Sequence, residues 1–346
     1  MSKTPTIRRA MGAAAATSAL LLVAAACGDS DSASSSASGG GAKVGVVIKG
    51  LDNPFFQSME QGIDDQAKTG GVTATVQAAN SITDTTGQAD KLTGLAGQDF
   101  SCYVVNPISG TNLVQGIAQL AAKKKTIVNI DSPIDAKAAK AAGADIATYI
   151  GTDNVAAGEM AGKKMSELLP SGGKVGIIGG IAGDVTSAAR ITGFTQGIGS
   201  NLTPLPTVAA NWDRQEALTQ ATNIIQANPD VAAFFSANDD MGLGIARAIA
   251  NAGKTGQIKI LSVDGSTDAM QAIQAGTYDG TVAQFPYAIG LMGVEACQAA
   301  AAGKTLPANV KAPVQLVTPD NAAQALAAAP KPAAAYDDPF KDLLAK

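Results

Sequence analysis

The sequence predicts an α/β protein made of two similar doubly wound lobes, each with a parallel sheet between layers of helices, joined by a hinge. Short apolar runs typical of buried strands alternate with stretches of helical periodicity. This alternation begins at Lys43 and starts a second time at Lys174. The chain has 346 residues, of which 46% are hydrophobic, and this is long enough for two such lobes.

The first lobe opens with an apolar strand at residues 44–48, and Pro54 then suits the first turn of a helix. Phe55, Met59 and Ile63 recur at intervals of four and predict a core-facing stripe on that helix. The glycine pair 70–71 ends it. Further strands are predicted at 72–77, 102–105, 126–130 and 148–150, and helices around 86–96 and 113–122.

The second lobe repeats this order of elements. Its predicted strands are 174–179, 231–236 and 258–263, and its predicted helices are 187–198, 215–227 and 241–252. The remaining chain is predicted to be divided between the two lobes. The predicted boundaries are an N-terminal lobe of 43–150 plus 285–315, a C-terminal lobe of 151–284 plus 316–335, and a loose tail of 336–346.

The first 26 residues have the pattern of an export signal. Basic residues precede an apolar run at 11–26 that is too short to span a membrane, and Cys27 follows it directly. Residues 28–41 are rich in Gly and Ser. The pattern resembles a bacterial lipoprotein signal, with cleavage before Cys27, lipidation of its sulfur and a flexible tether over 27–42. It predicts an extracytoplasmic, lipid-anchored protein; an ordinary secretory signal with an incidental cysteine is the alternative.

Charge and composition exclude several functions. The formal net charge of −4 becomes −7 once Lys3, Arg8 and Arg9 leave with the signal, which speaks against nucleic-acid binding. The chain contains no histidine, and this excludes Ser–His–Asp catalysis, Cys–His catalysis and histidine metal sites. Cys102 and Cys297 remain after processing, and the sequence leaves open whether they form a disulfide or stay as buried thiols.

Polar and aromatic side chains follow the predicted strands. In open α/β sheets ligands bind beyond the carboxyl ends of the strands, so these positions form one candidate site. Carboxylates, amides, a guanidinium and aromatic rings together suit a neutral polyhydroxylated ligand. The candidate ligand-binding residues are Lys49, Asn53, Phe55, Phe56, Asp131, Ser132, Arg190, Trp212, Asn238, Asp264 and Gln284.

Seven short motifs between about Lys43 and Pro319 resemble those of the type I periplasmic sugar-binding proteins, the ribose-binding-protein-like group that serves ABC importers. They are Asn53–Phe56, Val105–Pro107, Gly151–Asn154, Arg190–Phe194, Asn238–Gly244, Val263–Gly265 and Val282–Gln284. Each motif alone is weak, but seven in this order are specific for the family. The resemblance implies the type I periplasmic binding protein fold.

The resemblance also implies roles for the candidate residues. Asn53, Phe55 and Phe56 would contact the ligand from the first lobe. Asp131 would accept hydrogen bonds from the hydroxyl groups of the ligand. The implied second-lobe roles are polar contacts for Arg190, Asn238 and Asp264, ring stacking for Trp212, and a place at the crossing between lobes for Gln284.

Two positions depart from the ribose pattern. Lys49 stands where that pattern has a small hydroxyl residue, and Ser132 stands where it has an arginine after the aspartate. One guanidinium fork is thereby replaced by a flexible ammonium. This argues against ribose itself and leaves another pentose, a hexose or a sugar alcohol as the predicted ligand.

We therefore expect a monomeric, non-enzymatic solute-binding protein that closes two lobes over a monosaccharide and delivers it to an ABC-type sugar permease. No cofactor, metal or nucleic acid is expected. The alternatives are a sugar sensor or chemoreceptor component with the same fold, and an enzyme that uses Asp131 and Asp264 as a carboxylate pair. A sugar-responsive repressor of this fold is less consistent with the chain, since an export signal occupies the place of a DNA-binding domain.

Overall fold

The computed structural model of the chain describes residues 42–346. The predicted signal peptide, Cys27 and nearly all of the predicted tether lie outside the described residues. Within the described part, no helix is both long and apolar enough to cross a membrane.

The first lobe is built on a parallel sheet of six strands in the order β12-β5-β4-β3-β1-β2. Its strands are β1 (Lys43–Ile48), β2 (Thr73–Ala78), β3 (Cys102–Val105), β4 (Thr126–Ile130), β5 (Thr148–Gly151) and β12 (Asn309–Lys311). The helices that pack on it are α1 (Pro54–Thr69), α2 (Thr85–Ala96), α3 (Val114–Ala122), α4 (Ala136–Ala142) and α10 (Pro286–Ala301). Val46, Val104 and Val128 are fully buried between the helix layers, as expected for a doubly wound parallel sheet.

The second lobe has a sheet of seven strands in the order β13-β11-β10-β9-β6-β7, with β8 also pairing with β6. Its strands are β6 (Gly173–Gly179), β7 (Leu202–Pro204), β8 (Val208–Ala209), β9 (Val231–Ser236), β10 (Lys259–Asp264), β11 (Gly280–Gln284) and β13 (Val314–Val317). Only β13 among these described strands runs antiparallel, against β11. Its helices are α5 (Asn154–Leu168), α6 (Val185–Gly197), α7 (Arg214–Ala227), α8 (Asp239–Asn251), α9 (Thr267–Gln274) and α11 (Ala322–Ala328).

The sequence predicted the fold class, two parallel-sheet lobes with alternating helices and strands, and the structure confirms it. The boundary between lobes near the C-terminus differs slightly from the prediction. Val314 and Gln315 belong to the second sheet, because β13 begins at Val314 and pairs there with Gln284. The chain passes between the lobes after β5, after β11 and between β12 and β13.

The prediction of a loose tail over 336–346 is wrong. These residues include helix α12 (Pro339–Leu344), which packs on α10 of the first lobe. Phe340 is fully buried in the first-lobe core, and Asp338 caps the helix by accepting hydrogen bonds from the backbone N–H groups of Phe340 and Lys341. A cap, a proline at the first helical position and one buried ring stabilise this short helix.

The two cysteines of the described residues are joined. Cys102 on β3 and Cys297 on α10 form a disulfide with their Cα atoms 5.7 Å apart. The sequence left open whether these cysteines form a disulfide or stay as buried thiols, and the structure shows the disulfide. It ties two segments of the first lobe that are 195 residues apart in the chain.

Candidate functional site

The first half of the site is formed where β1 and β4 end. Lys49 follows β1, and its Nζ donates to Ser132 Oγ at 2.7 Å and lies 3.7 Å from Asp131 Oδ2. Ser132 Oγ in turn donates to Asp131 Oδ2 at 3.1 Å. Asp131 and Ser132 are both buried, so this ammonium–carboxylate group is held in a largely water-excluded place.

The loop that carries Asp131 is fixed by its neighbours. Asn129 donates to the carbonyl groups of Val105 and Ser132 and accepts from the backbone N–H of Ile134. The Tyr149 hydroxyl donates to the Asp131 carbonyl at 2.6 Å. Burial, with Asp131 nearby, raises the pKa of Tyr149, so this hydroxyl stays protonated as a donor at neutral pH.

The start of helix α1 adds an amide and two rings. Asn53 caps the helix through Oδ1, which accepts from the Phe55 N–H at 2.9 Å, and its Nδ2 has no protein partner among the described residues. The Phe55 and Phe56 rings meet edge to face at 5.1 Å, and Lys49 Nζ lies 5.3 Å from the Phe56 ring centre. Phe56 is buried in the core, whereas Phe55 is half-buried, so the predicted stripe of α1 begins at Phe56 rather than at Phe55.

The second half of the site centres on Arg190 of α6. Its Nη1 donates to Asp264 Oδ1 at 3.1 Å and to the Ala237 carbonyl at 2.7 Å, and its Nε donates to Asn154 Oδ1 at 2.8 Å. Arg190 is only 4% exposed. Three acceptors therefore hold the guanidinium in one orientation, with Asp264 as its charged partner.

Gln284, the last residue of β11, supports Asp264. Its Nε2 donates to Asp264 Oδ1 at 2.7 Å, and its buried Oε1 has no partner within residues 42–346. Gln284 does not line the small cavity that the other candidates surround; it lines a neighbouring cavity of about 280 Å³ together with Asn53, Phe55 and Asp264. The structure thus places it behind Asp264, where it orients the carboxylate.

Asn238 and Trp212 complete the second half. Asn238 caps α8 through Oδ1, which accepts from the Met241 N–H at 2.9 Å, in the same way as Asn53 caps α1. The Trp212 ring lies 5.8 Å from the Arg190 guanidinium carbon and packs against the backbone of Gly180. A Cβ at position 180 would overlap this ring, so glycine there is a requirement of the packing.

Three site residues hold an unusual backbone conformation. Asp131, Trp212 and Asp264 have φ values of 59°, 65° and 143°, a region that residues other than glycine rarely adopt. Five described non-glycine residues have positive φ, and three of them are therefore site residues. Such conformations persist where the surrounding structure holds them, and they concentrate at functional sites.

These side chains surround one cavity of about 60 Å³ between the lobes. Ten of the eleven candidate residues line it: Lys49, Asn53, Phe55, Phe56, Asp131, Ser132, Arg190, Trp212, Asn238 and Asp264. The strand-end argument missed five further lining residues: Ile82, Ile108, Ile181, Asp184 and Thr186. These five also follow strands, namely β2, β3 and β6. The three isoleucines were missed because they are apolar, and Asp184 and Thr186 were missed because they lie several residues beyond the end of β6.

Burial raises the pKa of two carboxyl groups in the second half of the site. It raises the pKa of Asp264 to about 7, and nearby Asp239 and Asp131 add to the rise while Arg190 opposes it. Asp239 lies behind the site and is fully buried; it accepts hydrogen bonds from Ser262, Thr281 and the backbone N–H of Ser266. Burial raises the pKa of Asp239 as well.

The arrangement offers hydrogen-bond donors, hydrogen-bond acceptors and apolar faces within a small volume. Asp131 and Asp264 present acceptors, Lys49, Arg190 and the two capping amides present donors, and the rings of Phe55, Phe56 and Trp212 present flat apolar surfaces. Hydroxyl groups both donate and accept, and C–H faces pack on rings. In the described residues, no group of three or more His, Cys, Asp or Glu side chains is placed to hold a metal ion.

Comparison with known proteins identifies relatives that bind sugars, as the chemistry of this cavity predicts. Residues 44–305 match the profile of the periplasmic binding protein domain. The D-allose-binding periplasmic protein of Escherichia coli K12 is 38% identical over 276 residues, covering 79% of this chain and 88% of that protein. The ribose import binding protein RbsB of Bacillus subtilis is 30% identical, covering 80% of this chain and 87% of that protein.

A solved structure gives the same result. A periplasmic solute-binding protein of an ABC transporter from Actinobacillus succinogenes, with bound D-allose, superposes with a TM-score of 0.77 at 26% identity, covering 82% of this chain and 99% of that one. The fold and the site define a two-lobed solute-binding protein. This chain belongs to the periplasmic binding protein domain family, within its group of sugar-binding members.

Proposed function

We propose that this protein captures one neutral monosaccharide between its lobes and holds it by the ten candidate residues that line the cavity, with Gln284 orienting Asp264. The observation that carries the proposal is the convergence of matched parts. Each lobe supplies a capping asparagine, an aspartate paired with a cation, and at least one aromatic ring to the same cavity. A ligand bound to both halves favours the closed arrangement of the lobes.

We further propose a hexopyranose of the D-allose class as the ligand. The relatives named for D-allose support this choice, as does the replacement of the ribose pattern at Lys49 and Ser132. In the cavity these two residues form one hydrogen-bonded unit with Asp131. Such a unit presents a donor and an acceptor side by side, which fits two neighbouring hydroxyl groups of a sugar ring.

The bound sugar is delivered to the permease of an ABC importer, and the protein works outside the cytoplasm without chemical turnover of its ligand. The roles of the related binding proteins support these statements. We propose anchoring through a lipid on Cys27 and a monomeric state; the small residues before Cys27 and the Gly/Ser-rich segment after it support the anchor.

Thermal unfolding of the chain without its first 41 residues tests the function. The panel comprises D-allose, D-ribose, other hexoses, pentoses and polyols. A ligand at 100 times its dissociation constant adds about 2.7 kcal/mol to the free energy of unfolding, so a true ligand raises the midpoint visibly. We expect the largest shift with D-allose, and no shift with any sugar or polyol would overturn the proposal. Release of nitrophenol from nitrophenyl glycosides would instead support an enzyme.

A further inference from the structure

The chain passes between the lobes a fourth time, after α11. Helix α11 packs on α9 of the second lobe, and Ala322 and Ala325 are buried in the second-lobe core. The following helix, α12, packs on α10 of the first lobe. The residues between these two helices, Ala329–Asp338, therefore connect the lobes in addition to the three passages already described, and they lie beyond the matched domain, which ends at residue 305.

The first-lobe end of this connection is firmly packed. Phe340 is fully buried, and Tyr336 and Leu343 pack against the same core. The Asp338 carboxylate caps α12 beside the buried Glu295 of α10, and burial together with Asp338 raises the pKa of Glu295 to about 8. The raised pKa favours the protonated form of Glu295, and this reduces the like-charge repulsion between Glu295 and Asp338.

The first residues of the connection contact the hinge region. Lys331 Nζ lies 5.1 Å from the centre of the Tyr287 ring, and the Tyr287 hydroxyl donates to Asp65 of α1 at 2.8 Å. Ala329, Pro330 and Lys331 line a second cavity of about 280 Å³, together with residues 284–286 of the second passage and residues of α1. The connection thus lies beside one of the hinge segments.

We propose that residues Ala329–Leu344 are a strap that restrains opening of the two lobes. Separation of the lobes pulls on a segment of about ten residues that is anchored in both cores and contains Pro330 and Pro332, which limit its freedom. Opening must therefore extend the strap or undock α12. Both costs fall on the open form, so the strap shifts the ligand-free protein toward the closed, binding-competent form.

Lengthening the strap without disturbing its anchors tests this. Six Gly/Ser residues are inserted between Ala333 and Ala334, and the matched control carries the same insertion after Gly303, an exposed turn within the first lobe. Small-angle scattering gives the radius of gyration of the ligand-free proteins, and calorimetry gives the dissociation constant for D-allose. We expect the strap insertion to increase the radius of gyration and to weaken binding by about 3- to 10-fold, with the control unchanged.

A second variant, Phe340→Ala, loosens the first-lobe anchor and should move both quantities in the same direction. Equal radii of gyration for the strap insertion and its control would overturn the proposal. The scattering measurement uses no sugar, so it decides on the strap even if D-allose fails to bind. If D-allose does not bind, the proposed ligand is wrong, and the radii of gyration alone decide whether the strap restrains opening.

Discussion

In the first lobe, Lys49 reaches Asp131 through an ammonium 3.7 Å from the carboxylate and one hydrogen bond to Ser132. In the second lobe, Arg190 binds Asp264 while it is also fixed by Asn154 and the Ala237 carbonyl. A lysine ammonium is a point charge on a flexible stem, whereas a guanidinium with three acceptors is held in one orientation. From this comparison we propose that the second half of the site anchors the ligand and that the first half adapts to the identity of the sugar.

The largest effect is expected from Asp264→Asn in the anchoring half. The amide removes the charged acceptor for the sugar and the charged partner of Arg190, and hydrogen bonds to charged groups contribute about 1.5–3 kcal/mol each. We expect D-allose binding to weaken by about 100-fold or more, measured by calorimetry. Asp279→Asn is the matched control, since Asp279 pairs with Lys259 in the same lobe but does not line the cavity. Unchanged affinity in Asp264→Asn would show that this half does not bind the ligand.

Lys49→Met in the adapting half should have a smaller but more selective effect. The change keeps most of the stem and removes the ammonium, so Ser132 and Asp131 lose their donor. We expect affinity for D-allose to fall by about 10-fold and the ranking of sugars in a thermal-shift panel to change. An equal loss for every sugar, with the ranking preserved, would contradict the division between the two halves.

Acid should weaken binding through the anchoring half. The pKa of Asp264 is about 7 in the ligand-free protein, and the sugar is expected to bind its ionised form. Protonation then competes with the ligand, so the dissociation constant should rise by about 10-fold between pH 8 and pH 6. Asp264→Asn should bind weakly and show no such slope. Binding of wild type that is flat over this range would contradict the role of the carboxylate.

The same pKa predicts the opposite trend for stability without ligand. The folded-state pKa of about 7 lies above the ordinary aspartate pKa of 3.8 in the unfolded chain, so between these values the folded protein retains a proton that the unfolded chain has lost. This contribution to stability is complete below pH 3.8 and is lost as the pH rises through 7. The difference in unfolding midpoint between wild type and Asp264→Asn, followed against pH, isolates it from Asp239, whose pKa is also raised.

The smallest effect concerns Thr186, a cavity residue near the start of α6. Its Oγ1 is buried without a partner in the described structure. A ligand hydroxyl would supply that partner, so Thr186→Val should weaken binding by about 3- to 10-fold, and Thr186→Ser should restore it. Thr148→Val is the control, because Thr148 Oγ1 is also buried and unpartnered but lies outside the cavity. Equal affinities in Thr186→Val and wild type would remove Thr186 from the site.

The sequence predicted the fold and most of the candidate residues that line the cavity, because both follow from strand ends. Asp131 and Asp264 each end an apolar run, and parallel strands bring such positions to one edge of each sheet. Ile82 and Ile108 were missed because an apolar residue after a strand has no chemistry that singles it out. The supporting position of Gln284 behind Asp264 depends on packing across β10 and β11, which no single strand reveals.

The prediction for the C-terminal helix α12 failed for a different reason. The Ala/Pro-rich run at residues 327–335 led to the prediction of a short helix and a loose tail within residues 321–346, although Asp338-Pro339 is a good helix start. What makes the helix stable is the burial of Phe340 against the first-lobe core, a contact between segments far apart in the chain. Composition does not report such a contact.

The central claim is that the two halves bind one sugar together, and calorimetric titration of the chain without its first 41 residues with D-allose tests it most directly. We predict saturable binding of one sugar per chain that is nearly abolished in Asp264→Asn and reduced in Lys49→Met. No binding of D-allose or of any other monosaccharide, or full affinity in both variants, would contradict the account.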